Sequence, residues 1–227
     1  MDQNSSYDNQ AVEVMKRLLR RNSICVDVGC HVGTFMDDFL RLAPEGKHFA
    51  FEPLPDLCEG LRRKYEGVSN VTVIEAALSD HDGKSRFTHV VSNPGYSGLR
   101  ERRYERPDES LQEIDVSLLR LDQVIPVDLC VDMIKIDVEG AELEVMRGGV
   151  QTLRRSQPCI IFEHGLGAAD CYGTTPGDIY ELLCGTLGYR IHLMARWLRN
   201  GEDSGLGRGE FEDEFYSGRE YYFMAVR

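Results

Sequence analysis

The sequence has no apolar run that approaches the roughly 20 residues of a membrane-spanning helix. Its first residues, MDQNSSYDNQ, lack the basic and apolar stretches of a secretory signal peptide, so we expect no targeting segment. Basic residues are few, since 26 Lys and Arg stand against 38 Asp and Glu, for a formal net charge of −12. This balance disfavours nucleic acid and anionic membranes as partners, because both need clustered Lys and Arg.

The seven cysteines lack the pattern of a disulfide framework or a zinc site, because their number is odd and no two have C-x-x-C spacing. Several lie in apolar runs such as ICVDV and PCIIF, where cysteine behaves as a small buried hydrophobe. We therefore expect a reducing compartment and a cytoplasmic protein. With 42% hydrophobic and 28% charged residues, the 227-residue chain has enough apolar side chains to form a globular core.

Short apolar runs alternate along the chain with segments of helical periodicity. The runs predict strands, and the periodic segments predict helices, over the following ranges: strands at 24–29, 48–53, 71–78, 84–91, 114–121, 128–137, 158–164, 189–194 and 220–226, and helices at 11–21, 33–43, 55–66, 141–155 and 176–187. This alternation predicts an α/β fold, with a Rossmann-like, mostly parallel sheet and helices on both faces. No helical pattern separates the last two strands, so we expect an antiparallel C-terminal hairpin at one edge.

One domain is predicted over residues 1–227, with a helical segment at 1–22 and an insertion at 84–121. The insertion contains strands and the polar stretch 92–110, which we expect to form a long lid-like loop. This stretch carries Arg100, Arg102, Arg103 and Arg106. We expect these arginines to be solvated, and a grip on an anionic acceptor is the alternative.

A turn rich in glycine follows the first predicted strand, with the sequence Asp27-Val28-Gly29-Cys30-His31-Val32-Gly33. Ligands of doubly wound sheets bind at such strand ends. The dinucleotide fingerprint G-x-G-x-x-G fails because His31 replaces its second glycine, and no GK[ST] follows as in a P-loop. Asp27 and Glu52, at the ends of the first two strands, instead suit S-adenosylmethionine, which offers an ammonium group and ribose hydroxyls but no phosphate.

Four segments together resemble a known family. They are VDVGCHVGTF (26–35), FEP (51–53), AALSD (76–80) and IKIDVEGAELEVMRGG (134–149), and they are similar to the FkbM family of S-adenosylmethionine-dependent methyltransferases. The resemblance covers roughly residues 23–165. It implies a class I methyltransferase fold, in which a seven-stranded sheet has an antiparallel last strand. It also implies methylation of an oxygen, commonly a hydroxyl on a sugar, polyketide or other natural product.

The resemblance further implies roles for single residues. The residues that would contact S-adenosylmethionine are Asp27, Gly29, Cys30, His31, Gly33, Thr34, Glu52, Pro53, Ala76, Ala77 and Asp137. The glycine turn and Asp27 would hold the methionine end, Glu52 would bind the ribose, and Ala76 and Ala77 would lie near the adenine. Asp137 would border the site of methyl transfer.

Three titratable residues at two strand ends are candidates for catalysis, because methyl transfer to a hydroxyl needs its proton removed. They are Asp137, Glu163 and His164, the last with an unperturbed pKa near neutrality. The same three residues offer ligands for Mg²⁺ or another divalent cation, which would lower the pKa of the acceptor. Alternatively, Asp137 pairs with Lys135 in a purely structural role.

The sequence therefore predicts an S-adenosylmethionine-dependent O-methyltransferase that acts on a hydroxyl of a small molecule, glycan or natural product. One alternative is a methyltransferase of a peptide or carboxyl group. Another is a cofactor-binding protein without catalysis. A homodimer, formed through the N-terminal helix or the C-terminal sheet edge, is a further expectation.

Overall fold

The computed structural model describes residues 3–104, 108–201 and 204–227, in which strands and helices alternate along most of the chain. The strands are β1 (Cys25–Val28), β2 (His48–Phe51), β3 (Val71–Ile74), β4 (Ala77–Leu78), β5 (Gly83–Val90), β6 (Leu111–Leu119), β7 (Met133–Ile136), β8 (Cys159–Glu163), β9 (Arg190–His192) and β10 (Tyr222–Val226). The helices are α1 (Gln3–Leu18), α2 (Thr34–Leu42), α3 (Pro55–Lys64), α4 (Leu121–Val124), α5 (Glu142–Gly148), α6 (Val150–Ser156), α7 (Pro176–Tyr180), α8 (Met194–Asn200) and α9 (Arg208–Ser217). A π-helical turn at Glu181–Thr186 extends α7.

Seven strands form the central sheet in the order β3-β2-β1-β7-β8-β10-β9. The first five are parallel, and β10 pairs antiparallel with both β8 and β9. Strands β1, β2 and β7 are buried throughout, which explains why they are largely apolar runs without alternation. The predicted fold class is confirmed. Because the strand order reverses at β1, the carboxyl ends of β1, β2 and β7 form the crevice in which such sheets bind ligands.

Helices cover both faces of the central sheet, as predicted. On one face, Met15 of α1, Phe39 of α2 and Trp197 of α8 belong to one buried cluster. On the other face, Met146 of α5 and Phe211 of α9 belong to a second cluster. Within the described ranges, no helix is long and apolar enough to cross a lipid bilayer.

The predicted insertion forms a second sheet, with the order β4-β6-β5. Strands β5 and β6 are antiparallel, and the described part of the stretch between them is a loop with one 3-10 turn at Pro94–Tyr96. The run 71–78, predicted as one strand, is divided, because β3 joins the central sheet and β4 joins the small one. This division places Ala76 and Ala77 just beyond the pairing of β2 with β3, near the carboxyl end of β2.

The two C-terminal strands are antiparallel as predicted, but the prediction of a hairpin connection is wrong. Helices α8 and α9 lie between β9 and β10. Only a few residues of these helices are buried and apolar, namely Met194 and Trp197 of α8 and Phe211 and Phe215 of α9. Glycine and acidic residues make up much of the rest, so the segment shows no helical periodicity.

The single helix predicted at 141–155 is also divided, into α5 and α6, at Gly149. Its neighbour Gly148 lies directly against the backbone of Ser79, where an added Cβ would be 2.0 Å from the carbonyl oxygen. A larger residue at this position would therefore push α5 away from the turn after β4.

Candidate active site

A cavity of about 250 Å³ lies at the carboxyl ends of β1, β2 and β7, and we call it the strand-end cavity. Most of the residues predicted to contact the cofactor line it, namely Gly29, Cys30, His31, Thr34, Glu52, Pro53, Ala76, Ala77 and Asp137. Asp27 and Gly33 do not line it. The sequence therefore identified the part of the wall that follows the strands of the central sheet, but not the part that comes from β5 and the loop after it, such as Phe87, Ser97 and Leu99.

The turn after β1 has left-handed backbone at three positions, with φ of +77° at Gly29, +52° at His31 and +82° at Gly33. A Cβ added at Gly29 would be 1.9 Å from the carbonyl oxygen of Asp137, so the turn lies tightly against the end of β7. Glycine is needed at this position for both reasons. His31 adopts this backbone with a side chain, and its ring lines the strand-end cavity.

Glu52 connects the end of β2 to this turn. Its carboxylate accepts hydrogen bonds from the backbone N–H of His31 at 2.8 Å and from that of Leu54 at 2.9 Å. Burial raises the pKa of Glu52, and the two hydrogen bonds partly oppose that shift. Because a carboxylate has about four acceptor positions, Glu52 retains capacity for a ligand's hydroxyl groups.

The buried side chain of Lys135 lies between Asp27 of β1 and Asp137, the residue that follows β7. The Nζ atom of Lys135 donates to the carbonyl oxygen of Gly29 at 3.0 Å, and it lies 3.7 Å from Asp27 and 3.4 Å from Asp137. Burial raises the pKa of Asp27, and the charge of Lys135 opposes that shift. Asp27 was predicted to hold the methionine end of a cofactor, but the structure places it behind the cavity wall. Asp27 lies next to Lys135, which does line the cavity.

Asp137 and Glu163 form a carboxyl pair at the ends of β7 and β8. Burial and the charge of Asp137 raise the pKa of Glu163 well above its usual value. Burial would also raise the pKa of Asp137, but Lys135 and hydrogen bonds from Glu163 and Tyr222 outweigh it and lower that pKa. The phenol of Tyr222 donates to Asp137 at 2.9 Å. The two shifts have opposite directions, so Glu163 is the member of the pair that binds a proton more readily and Asp137 is the member that ionises more readily.

The structure corrects the prediction for His164. Its ring is buried and lies 4.6 Å from the ring of Phe215 and 6.1 Å from that of Phe211, and it lines neither of the two main cavities. Neither ring nitrogen has a hydrogen-bond partner among the described residues, and burial lowers the pKa of His164 to about 3. Successive residues of a strand point to opposite faces, so Glu163 faces the site while His164 faces α9.

A second cavity of about 600 Å³ adjoins the first, and we call it the terminal cavity. Asp8, Gly95, Asp137 and Glu139 line both cavities. Much of its remaining wall comes from the two ends of the described chain. We call these two segments, residues 3–8 of α1 and residues 215–222, the terminal clasp.

The two halves of the terminal clasp are bonded to each other. Gln3 donates to the carbonyl oxygen of Arg219 at 2.8 Å, and the phenol of Tyr7 donates to Glu220 at 2.5 Å. The ring of Tyr7 also lies 4.9 Å from that of Tyr221 and 5.5 Å from that of Tyr222. Sequence reasoning missed these residues, because no motif or spacing links positions more than 200 residues apart.

The arginines of the loop 91–104 fix it in place. Arg102 forms a largely buried ion pair with Glu139 and lies over the ring of Tyr96 at 4.8 Å. Arg103 pairs with Asp170, and Arg100 lies 5.2 Å over Tyr172. The expectation of a solvated face is therefore wrong for Arg102. Arg106, predicted alongside them, falls outside the described residues.

Three carboxylates converge where the cavities adjoin. Oxygen atoms of Asp137, Glu139 and Glu163 all lie within 4.8 Å of one another. The set of three metal ligands predicted from the sequence contained His164, whereas the group in the structure contains Glu139 in its place. Glu139 has left-handed backbone, with φ of +58°, which brings its side chain back towards β7 and into contact with Arg102.

The strand order, the antiparallel β10 and the cavity at the switch point define the Rossmann-like fold of class I methyltransferases. Within that class the chain belongs to the family of methyltransferase FkbM domains, whose family model matches residues 27–191.

Comparisons with curated proteins agree with this assignment. The chain is 31% identical to methyltransferase sdnD of Sordaria araneosa, across 57% of this chain and 61% of sdnD. It is 29% identical to 2-O-methyltransferase NoeI of Sinorhizobium fredii, across 64% of this chain and 65% of NoeI. The chain thus spans less than two thirds of the length of these relatives.

Two solved structures share the fold. Methyltransferase FkbM from Methylobacillus flagellatus KT aligns with a TM-score of 0.55 and 14% identity, across 92% of this chain and 44% of that one. SMU.1697c from Streptococcus mutans, solved in complex with SAH, aligns with a TM-score of 0.52 and 10% identity, across 96% of both chains. At these identities the likeness shows the fold alone.

Proposed function

We propose that the protein is an S-adenosylmethionine-dependent O-methyltransferase that acts on a hydroxyl of a small molecule, sugar or natural product. The observation that carries this proposal is the junction of the strand-end and terminal cavities at Asp137. In this proposal the strand-end cavity binds the cofactor and the terminal cavity binds the acceptor, and the carboxylate of Asp137 lies where the two would react. The 2-O-methyltransferase activity named for the relative NoeI supports the choice of oxygen.

The lining of the strand-end cavity suits S-adenosylmethionine. Glu52 offers acceptor positions for the two ribose hydroxyls, while Ala76 and Ala77 offer an apolar wall for the adenine. Among the described residues that line this cavity, Lys135 is the one Lys or Arg, and it is already held between Gly29 and Asp137. The described part of the lining therefore offers no free cation for a phosphate-bearing ligand. When bound, S-adenosylmethionine supplies a methyl group on a sulfonium, activated for in-line transfer.

Asp137 removes the proton of the acceptor hydroxyl in this proposal. Lys135 and Tyr222, together with a hydrogen bond from Glu163, favour its ionised form. The hydroxyl oxygen gains the methyl group as the carbon–sulfur bond breaks, and the hydroxyl proton passes to Asp137. A positioned base of this kind contributes about 10²–10⁴-fold to a rate.

The residues do not fit a resident divalent cation, although a cation was considered from the sequence. Glu139 is paired with Arg102, and Asp137 lies beside Lys135, so two side-chain cations already hold oxygens that a metal would need. Glu163, moreover, has a raised pKa, which disfavours the ionised form that a metal would need. The proposed reaction therefore uses no metal, and we expect full activity in EDTA.

Calorimetry with S-adenosylmethionine and S-adenosylhomocysteine tests the cofactor. We expect the wild type to bind both, and Glu52→Ala to bind them at least about tenfold more weakly, since a hydrogen bond to a charged group contributes about 1.5–3 kcal/mol. The exposed Glu66→Ala, on the turn after α3, is the control and should bind like the wild type. Absence of binding by the folded wild type would overturn the proposal.

A further inference from the structure

The terminal clasp lies outside the segment that matches the FkbM family model. That segment ends at residue 191, whereas the clasp comprises residues 3–8 and 215–222. The clasp supplies four residues of α1 and five of the C-terminal segment to the wall of the terminal cavity. The strand-end cavity, in contrast, takes only Asp8 from outside the family segment. The part of the chain outside the family segment therefore forms about half of the wall of the proposed acceptor side.

The clasp has a defined geometry that can recognise a ligand. Tyr7 stacks on Tyr222 with ring centroids 5.5 Å apart, and Tyr221 meets Tyr7 edge-on at 4.9 Å. The phenol of Tyr7 fixes the half-buried carboxylate of Glu220, and the phenol of Tyr222 fixes Asp137 at the other end. Aromatic rings and oriented carboxylates in one wall are the groups that bind ammonium ions, through cation–π attraction and charge-assisted hydrogen bonds.

The charges around the terminal cavity favour a cation and disfavour an anion. Among the described residues that line this cavity, Arg102 is the one Lys or Arg, and it is paired with Glu139. Arg219, beside Glu220 in the chain, directs its guanidinium to Glu214 at 3.0 Å. Among the described residues of this cavity wall, Glu220 thus forms no ion pair, and its carboxylate accepts a hydrogen bond from Tyr7.

We propose that the terminal clasp selects the acceptor, and that the acceptor is a hydroxyl compound that carries an ammonium group, such as an amino sugar or amino alcohol. This inference rests on the proposed methyltransferase function and specifies its substrate class. The ammonium group would lie against Glu220 and the tyrosine rings of the clasp, with the reacting hydroxyl towards Asp137. A carboxylate or phosphate in the same position would meet Glu220 and Asp137 and be repelled.

Matched acceptors that differ in charge test the proposal. Methyl glycosides of glucosamine, N-acetylglucosamine and glucuronic acid, and the pair ethanolamine and ethylene glycol, are incubated with the full chain and S-adenosylmethionine at pH 6.5, and methylated products are quantified by mass spectrometry. Binding of each compound to the protein loaded with S-adenosylhomocysteine is measured by calorimetry in parallel. We expect the amine of each set to bind at least about tenfold more tightly than its neutral counterpart, as one desolvated charge pair allows. The glucuronide should bind most weakly.

A pair of variants assigns that preference to the clasp. Glu220→Gln should abolish the preference for amines while leaving the affinity for S-adenosylmethionine unchanged. The matched control is Glu210→Gln, which should keep the preference. Glu210 is an exposed residue of α9 that pairs with Arg196. Equal binding of amine and neutral compounds, preference for the glucuronide, or no binding of any amine by protein that binds S-adenosylmethionine would each overturn this inference alone. Loss of S-adenosylmethionine binding by the wild type would instead overturn the proposed function.

Discussion

The two cavities of the site differ in how the chain builds them. The strand-end cavity is lined by the turns that directly follow β1, β2 and β7 and by the small sheet with its loop, almost entirely within the family segment 27–191. The terminal cavity depends on α1 and residues 215–222, which meet at the end of the sheet where β10 lies next to β8. The fold thus fixes the proposed cofactor side, whereas the ends of the chain shape the proposed acceptor side. Asp137, which lines both, is where the comparison can be tested most directly.

The largest effect is expected for Asp137→Asn, because this change removes the proposed base but keeps the shape of both cavities. We expect methyl transfer to fall by about 10³-fold, within the range for loss of a general base. Affinity for S-adenosylmethionine should change by less than threefold, as measured by calorimetry. Single-turnover assays with mass spectrometry give the rate, and the exposed Asp128→Asn serves as control. Activity of Asp137→Asn close to wild type would show that the boundary between the cavities is not where the proton is removed.

The next largest effect concerns the ion pair that closes the boundary between the cavities. Arg102→Met leaves Glu139 buried without its cation, and the free energy of unfolding should fall by about 3 kcal/mol. The double variant Arg102→Met, Glu139→Gln removes both charges and should recover most of that loss. Chemical denaturation measures both values. If the double variant is as unstable as the single one, the pair does not anchor the loop 91–104.

Glu142 gives a pH-dependent test within the family segment. Its buried carboxylate accepts hydrogen bonds from Gly140 and Val138, and burial raises its pKa from 4.5 to about 7. Because the pKa is higher in the folded state, protonation of Glu142 stabilises the fold. This contribution to stability is complete below about pH 4.5 and is lost as the pH rises through about 7.

Glu142→Gln should therefore gain stability relative to the wild type as the pH rises from 5 to 8, by about 2 kcal/mol. Denaturation at several pH values measures the difference. Exposed Glu113→Gln on β6 is the control and should follow the wild type. A difference that does not change with pH would mean that Glu142 is ionised in the folded protein at every pH tested.

The sequence was informative where chemistry follows a strand directly. The turn after β1, Glu52 and Asp137 were identified because glycines and acids stand immediately after apolar runs, and the structure brings them to one cavity. His164 was misassigned because adjacent residues of a strand face opposite sides, and which side faces the site depends on neighbouring elements. α8, α9 and the clasp residues were missed because they are fixed by long-range packing, such as that of Tyr7 on Tyr222. Such packing leaves no local periodicity in the sequence.

The smallest effect is expected for Tyr222→Phe. Tyr222 lines the terminal cavity and donates a hydrogen bond to Asp137, which lines both cavities. Its phenol favours the ionised form of Asp137, so its removal should raise the pKa of that carboxylate. Since the base must be ionised to accept a proton, the acid limb of the pH–rate profile should move to higher pH. The rate should fall about tenfold at low pH and recover at high pH, whereas lost packing alone would lower it equally at every pH. The matched control is Tyr221→Phe, whose phenol bonds to Asn4 and not to Asp137. An unchanged profile for Tyr222→Phe would show that the C-terminal strand shapes the terminal cavity without tuning the base.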